Sequence, residues 1–161
     1  MPASNTPKRS RKKSANARSG PSAVPGKFPT ITLHNRQKKF RLPLRRLQVR
    51  TEAAAARLAA RLPRSLDAIE ISFLTPAASG QVHADFLQDP APTDVITFDH
   101  GEILICPAVA ERQRQAEGLS LEDEVLTYIL HGLLHLCGLD DATERGFQRM
   151  RREQSRLLAQ V

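Results

Sequence analysis

The chain has 161 residues, with 24 Lys and Arg against 17 Asp and Glu, a formal net charge of +7 and two cysteines. That length bounds one domain with or without an appendage, and two cysteines build no disulfide framework for it, which points to a reducing compartment. The longest run free of charged side chains, Val125 to Leu139, is 15 residues, short of the ~20 a membrane-spanning helix needs; with no secretory apolar segment at the start, a soluble cytoplasmic protein is expected.

The charge is unevenly placed. Residues 1–27 hold seven Lys or Arg and no acid, a Ser-rich composition expected for a disordered basic tail rather than a transit peptide, which would show an apolar face. Up to residue 64 there are 17 basic residues against one acid, Glu52, whereas residues 65–161 hold seven basic against 16 acidic. Such a dipolar chain is suited to docking its basic end on a polyanion.

A single domain over residues 28–161 is expected after the Pro- and Gly-containing end of the tail. "TITLHN" alternates as a half-buried strand does. Leu44, Leu47, Ala54, Leu58 and Leu62 fall at helical spacings with Arg45, Arg46, Arg50, Arg57 and Arg61 interleaved, predicting a basic amphipathic helix over 44–62 that Pro63 ends. "DAIEISFL" reads as a second strand, the segment after Pro76 as a short helix, and "TDVITFD" and "EILIC" as two strands about a turn at His100-Gly101. Pro107 starts a helix that Gly118 closes, "SLED" is a capping-box signature for the apolar helix that follows, and Thr143 caps a last helix with Phe147, Met150, Leu157 and Leu158 as its stripe. The sum is an α/β (α+β) fold, a small mixed four-stranded sheet packed with about five helices.

The apolar helix holds His131 and His135. At i and i+4 their rings share one face, a geometry that can hold one metal ion; the alternative is a pair of core histidines satisfied by backbone or carboxylate. Each unpaired buried nitrogen would cost roughly 1 to 3 kcal/mol, and a divalent cation would satisfy one nitrogen of each ring. A third ligand ten residues on would lie ~15 Å away along a straight helix, but Gly138 can end the helix and turn the chain so that Asp140 or Asp141 swings back. H-x3-H-x2-G-x2-D matches the ligand frame of extended zincin motifs with a carboxylate in third place, giving His131, His135 and Asp141 as the metal set. Gly132 stands where those proteases carry their general-base Glu, which argues against peptide hydrolysis.

"HGLLHLCGLDD", preceded by "PTDVITF" and "GEILI" and followed by Met150 and Glu153, resembles the YbeY family of bacterial metal-dependent endoribonucleases over roughly residues 30–158. The family string H-G-x-L-H-L-x-G-Y-D-H is matched at His131, Gly132, Leu134, His135, Leu136, Gly138 and Asp140. The resemblance implies one zinc ion in an α/β domain, cleavage of single-stranded RNA, and a role in 16S rRNA 3′-end maturation and ribosome quality control, with the small ribosomal subunit and a ribosomal protein as partners. Thr93, Asp94 and Val95 stand where the family has them, and Glu102 replaces an Asp. The chain departs where the family's third His is Asp141, its Tyr is Leu139, and its N-x-x-Y-R segment is "HADFL", with His83 at the Asn and Leu87 at the basic residue tied to RNA cleavage.

A bound ion with an open position would lower the pKa of water to about 7. Asp94, His100, Glu102 and Asp140 are acid/base candidates by proximity, and no catalytic residue is singled out. His34 and His83 lie in no ligand spacing, and Cys106 and Cys137 read as small apolar residues. Seven aromatics give little sign of a stacking platform, so RNA contacts are expected mainly from the tail and the 44–62 helix to phosphates. Two competing functions are a ribosome-assembly factor in which metal only braces the fold, and a metallohydrolase of another substrate.

Overall fold

A computed structural model of the chain describes residues 28–88 and 91–161; the expected basic tail, residues 1–27, lies outside them. The elements follow the order read from the sequence: β1 (Thr30–Asn35), α1 (Leu44–Leu58), β2 (Ala68–Phe73), α2 (Pro76–Leu87), β3 (Val95–Thr97), β4 (Glu102–Ile105), α3 (Pro107–Glu117), α4 (Leu121–Leu136) and α5 (Glu144–Leu158).

The four strands form one mixed sheet in the order β1-β2-β4-β3. β1, β2 and β4 run parallel, with Ile31 opposite Ile69, Ile71 opposite Ile103 and Phe73 opposite Ile105. These branched and aromatic side chains are buried together, the packing that favours such residues in strands. β3 turns back antiparallel on β4 through a turn in which Gly101 N–H bonds the Phe98 carbonyl at 2.9 Å. Gly101 has φ +104°, and a Cβ there would sit 2.4 Å from the Ala68 carbonyl oxygen; only glycine fits.

The apolar helix α4 is the centre of the fold, packing on α1, α3, α5 and the β3–β4 hairpin. Ser120 caps it by accepting from Asp123 N–H at 3.0 Å, while its hydroxyl donates to the Asp123 carboxylate. Gly132 brings the helix onto the sheet: a Cβ at this position would lie 2.8 and 2.9 Å from Ile103 side-chain carbons and 3.0 Å from Thr97 Oγ1.

Two expectations are corrected. The basic helix ends at Leu58, not at 62; a turn carries the chain on, with Arg61 and Leu62 N–H both bonding the Leu58 carbonyl. Leu62 is still buried, so its spacing recorded burial rather than helical backbone. On α5, Met150 and Leu157 are buried as expected, but Phe147 is 42% exposed. No helix among the described residues is long and apolar enough to cross a membrane.

Candidate metal centre

α4 ends in a Schellman turn. Gly138, at φ +83°, donates to the His135 carbonyl at 2.8 Å, and Leu139 donates to the Leu134 carbonyl at 3.0 Å, the paired bonds that reverse a chain after a left-handed residue. Leu139 is buried, which fixes the turn against the core. Asp140 then caps its own turn by accepting from Ala142 N–H at 2.9 Å. At Gly146 a Cβ would sit 2.2 Å from the Asp140 carbonyl oxygen, so the first turn of α5 presses directly on this loop.

The consequence is convergence. Asp141, rather than Asp140, returns to the histidines: its two carboxylate oxygens lie 3.4 Å from His131 Nε2 and 3.6 Å from His135 Nε2, and the two Nε2 atoms are 2.8 Å apart. Among the described residues, this is the group of His, Cys, Asp or Glu side chains whose ligand atoms cluster closely enough to hold a metal ion.

Which nitrogens carry protons decides what the cluster can bind. His135 Nδ1 lies 2.9 Å from the Leu139 carbonyl oxygen, which only accepts, so the Nδ1–H donates and neutral His135 presents a bare Nε2. His131 Nδ1 faces Gln154 Oε1 at 3.4 Å, and the Gln154 amide is oriented by its own bond to the Thr127 carbonyl at 3.5 Å. Two imidazole Nε2 atoms and a carboxylate thus meet at one point, donors of the kind a divalent cation takes. In a tetrahedral site with bonds of about 2.0 to 2.2 Å, ligand atoms are ~3.3 Å apart; each histidine Nε2 lies near this distance from one of the two Asp141 oxygens, and the 2.8 Å between the Nε2 atoms is about half an ångström shorter. The residues therefore fit a divalent ion. Burial, then the neighbouring His135, push His131 below its ordinary pKa, favouring the neutral form that ligates metal.

The site opens into a cleft of about 1010 Å³ on one side, bordered by α5, and a smaller cavity of about 330 Å³ on the other. Of the acid/base candidates, Asp94 lines the larger space, its carboxylate accepting from Val95 N–H and the Thr93 hydroxyl. Asp140 lines the smaller. His100 and Glu102 pair with each other at 3.5 Å and line neither space. His34 sits in β1 opposite Ser72, and His83 Nδ1 faces the Ala91 carbonyl oxygen. The side chain of Leu87 lies outside the described part of the structure. Cys106 is buried and Cys137 half-buried, both free thiols, and burial raises the Cys137 pKa.

The basic helix is partly committed elsewhere. Arg46 and Arg50 both bond the Glu122 carboxylate, Arg50 also holds Asp123 at 2.8 Å, and Arg61 meets Glu153 at 3.2 Å. These guanidiniums tie α1 and the following turn to α4 and α5, leaving Arg45 and Arg57 on the exposed face. Sequence reading also missed Gln154, for an amide inside a charged helix gives no signal of its own.

A family model described as Endoribonuclease YbeY matches residues 32–161. Proteins named endoribonuclease YbeY from Protochlamydia amoebophila and Leifsonia xyli are each 33% identical to the chain, over 104 and 91 residues. The matches cover 58% and 46% of this chain and 69% and 60% of those proteins. The one from Renibacterium salmoninarum is 39% identical over 80 residues, 39% of this chain and 51% of that protein. The matched stretches therefore span between about half and just over two thirds of these curated relatives. The solution structure of TM1509 from Thermotoga maritima superposes with a TM-score of 0.57 at 19% identity, covering 81% of this chain and 91% of that one; it shares the fold. With a family model covering residues 32–161, from within β1 to the C-terminal residue, the chain belongs to the YbeY endoribonuclease family.

Proposed function

We propose that this protein is a metal-dependent endoribonuclease that cuts single-stranded RNA during rRNA maturation in the cytoplasm, with His131, His135 and Asp141 holding one zinc ion. The observation that carries the reading is the convergence of two imidazole Nε2 atoms and one carboxylate within 3.6 Å of one another, in the lining of a cleft of about 1010 Å³. The N2O donor set is one that zinc takes in catalytic sites. When bound, the ion supplies Lewis acidity toward a phosphodiester and a water-derived nucleophile near neutral pH.

The chain's own residues do the positioning. The Leu139 carbonyl oxygen and Gln154 Oε1 face the Nδ1 atoms of His135 and His131, acceptors placed to take the Nδ1 proton and leave each Nε2 to a ligand. The Schellman turn at Gly138 and the pressure of Gly146 on the loop place Asp141. Gly132 faces Ile103 and Thr97 rather than the cleft, so the position that serves as base in zincin peptidases has no room for a side chain. On the basic face, Arg45 and Arg57 remain as α1 contacts for the phosphates of the small-subunit RNA, alongside the N-terminal basic residues.

Single-turnover assays on single-stranded rRNA fragments test this. Cleavage by the wild-type protein that disappears in His135→Ala and after chelation supports it; tight RNA binding with no cleavage under any metal condition would contradict it.

A further inference from the structure

We propose that Phe147 and Arg151, on the cleft face of α5, form a seat for one nucleobase of the strand whose phosphodiester lies at the metal site. This rests on the reading of the cleft as an RNA site and adds what holds the strand there.

Four large apolar side chains are exposed among the described residues: Phe28, Val49, Phe86 and Phe147. Of these, Phe147 alone lines the cleft that His131, His135 and Asp141 also line. Met150 and Leu157 already supply the buried stripe of α5, at 1% exposure each, so an aromatic ring at 147 gains little packing in return for its exposed surface. Its neighbour one turn on lies in the same cleft: the Arg151 guanidinium stands 5.8 Å over the Phe147 ring, within cation–π range. Arg46, Arg50, Arg61, Arg114 and Arg156 all hold carboxylates, whereas Arg151 has no carboxylate partner among the described residues. Its donors are available to a ligand.

Electrostatics argue for a stacked base rather than a phosphate-lined groove. Asp94, Asp123 and Glu124 line the same cleft, and Arg50, its other arginine, is committed to Glu122 and Asp123. A polyanion entering there meets carboxylates, so its attraction must come from the cation, from Arg151 and from contacts that carry no charge. An exposed ring beside a guanidinium is the surface on which a base of any identity stacks. A single ring in the cleft adds one uncharged contact to the phosphate contacts expected in the main.

The test uses the full chain with zinc and a 2′-O-methyl RNA octamer, which resists attack by its own 2′ positions, carrying 2-aminopurine at each position in turn. Wild type and Phe147→Trp are expected to change the fluorescence of the base at one or two positions. Phe147→Leu should lose that signal and bind roughly 5- to 150-fold more weakly, while an octamer abasic at that position binds wild type and Phe147→Leu alike. Phe86→Leu, which removes an exposed ring outside the cleft, should match wild type. Equal binding of the base-bearing octamer by wild type and Phe147→Leu, an equal loss with the abasic octamer, or an equal loss in Phe86→Leu would each overturn the seat. The readout needs no turnover, so a wild-type protein that fails to cut RNA yet shows the Phe147 dependence sinks only the catalytic reading, and cutting without that dependence sinks only the seat.

Discussion

The Nδ1–H of His135 donates to the carbonyl oxygen of Leu139, 2.9 Å away across the turn that ends α4. One bond does two things: it selects the tautomer that leaves Nε2 bare, and it ties the ring to the loop that delivers Asp141. Because Leu139 reaches that position only through a left-handed Gly138, backbone geometry and ligand chemistry are coupled at this residue.

Gly138→Ala should therefore damage both. There is open space for the methyl group, so the cost comes from the left-handed backbone, about 1 to 2 kcal/mol. Urea denaturation is expected to show that loss, and zinc titration to show weaker binding as Asp141 shifts. Unchanged affinity with the expected loss of stability would separate the turn from the site.

Gln154→Ala isolates the outer partner of His131. Removing Oε1 frees the His131 ring and its tautomer, and loss of such a partner typically weakens metal binding by 10- to 100-fold. Competition with a zinc chelator should read that loss while circular dichroism stays unchanged.

Gly132→Ala tests the close approach of α4 to the sheet. A methyl group 2.8 Å from Ile103 Cδ1 overpacks the interface, at a cost of roughly 1 to 3 kcal/mol. Thermal unfolding should show a lower midpoint, and Gly132→Glu should be worse still, without gaining peptidase activity.

Stability should also depend on acidity through the α1–α4 ion network. Burial would raise the Glu122 carboxyl, but bonds from Arg46 and Arg50 outweigh it and hold it below its ordinary value; the bond from Arg50 lowers Asp123. Carboxyls depressed in the folded state contribute stability that is fully present above their ordinary values of 4.5 and 3.8 and is lost as pH falls through the folded ones. Denaturation midpoints of the wild type should drop as pH falls below about 4.5, and Arg50→Met should lower stability at neutral pH while flattening that drop. An Arg50→Met profile parallel to the wild type would rule the network out as the source.

The strands, the helix order and the two histidines were legible because each depends on local pattern: alternation for β1 and β2, helical spacing for α4, a left-handed glycine for the turn after it. Helical geometry alone left Asp140 and Asp141 open, and the H-x3-H-x2-G-x2-D spacing picked Asp141; what no spacing could show is how the first turn of α5 presses Gly146 against the Asp140 carbonyl, a contact between distant packing surfaces. The end of α1 was misplaced because Leu62 is buried from a turn as well as it would be from a helix. Gln154 and the exposure of Phe147 were invisible for a related reason: both follow from the angle at which α5 lies on α4, and sequence spacing fixes a residue's place on its own helix but not the helix's neighbours.

The most direct test of the central claim is X-ray absorption at the zinc edge on the zinc-loaded protein, alongside Asp141→Ala and His135→Ala. The account predicts one ion per chain with two nitrogens at about 2.0 to 2.1 Å and a carboxylate oxygen at about 2.0 to 2.2 Å, and loss of the corresponding shell in each variant. A wild-type spectrum unaltered by either substitution, or dominated by sulfur at about 2.3 Å, would place the metal elsewhere and contradict it.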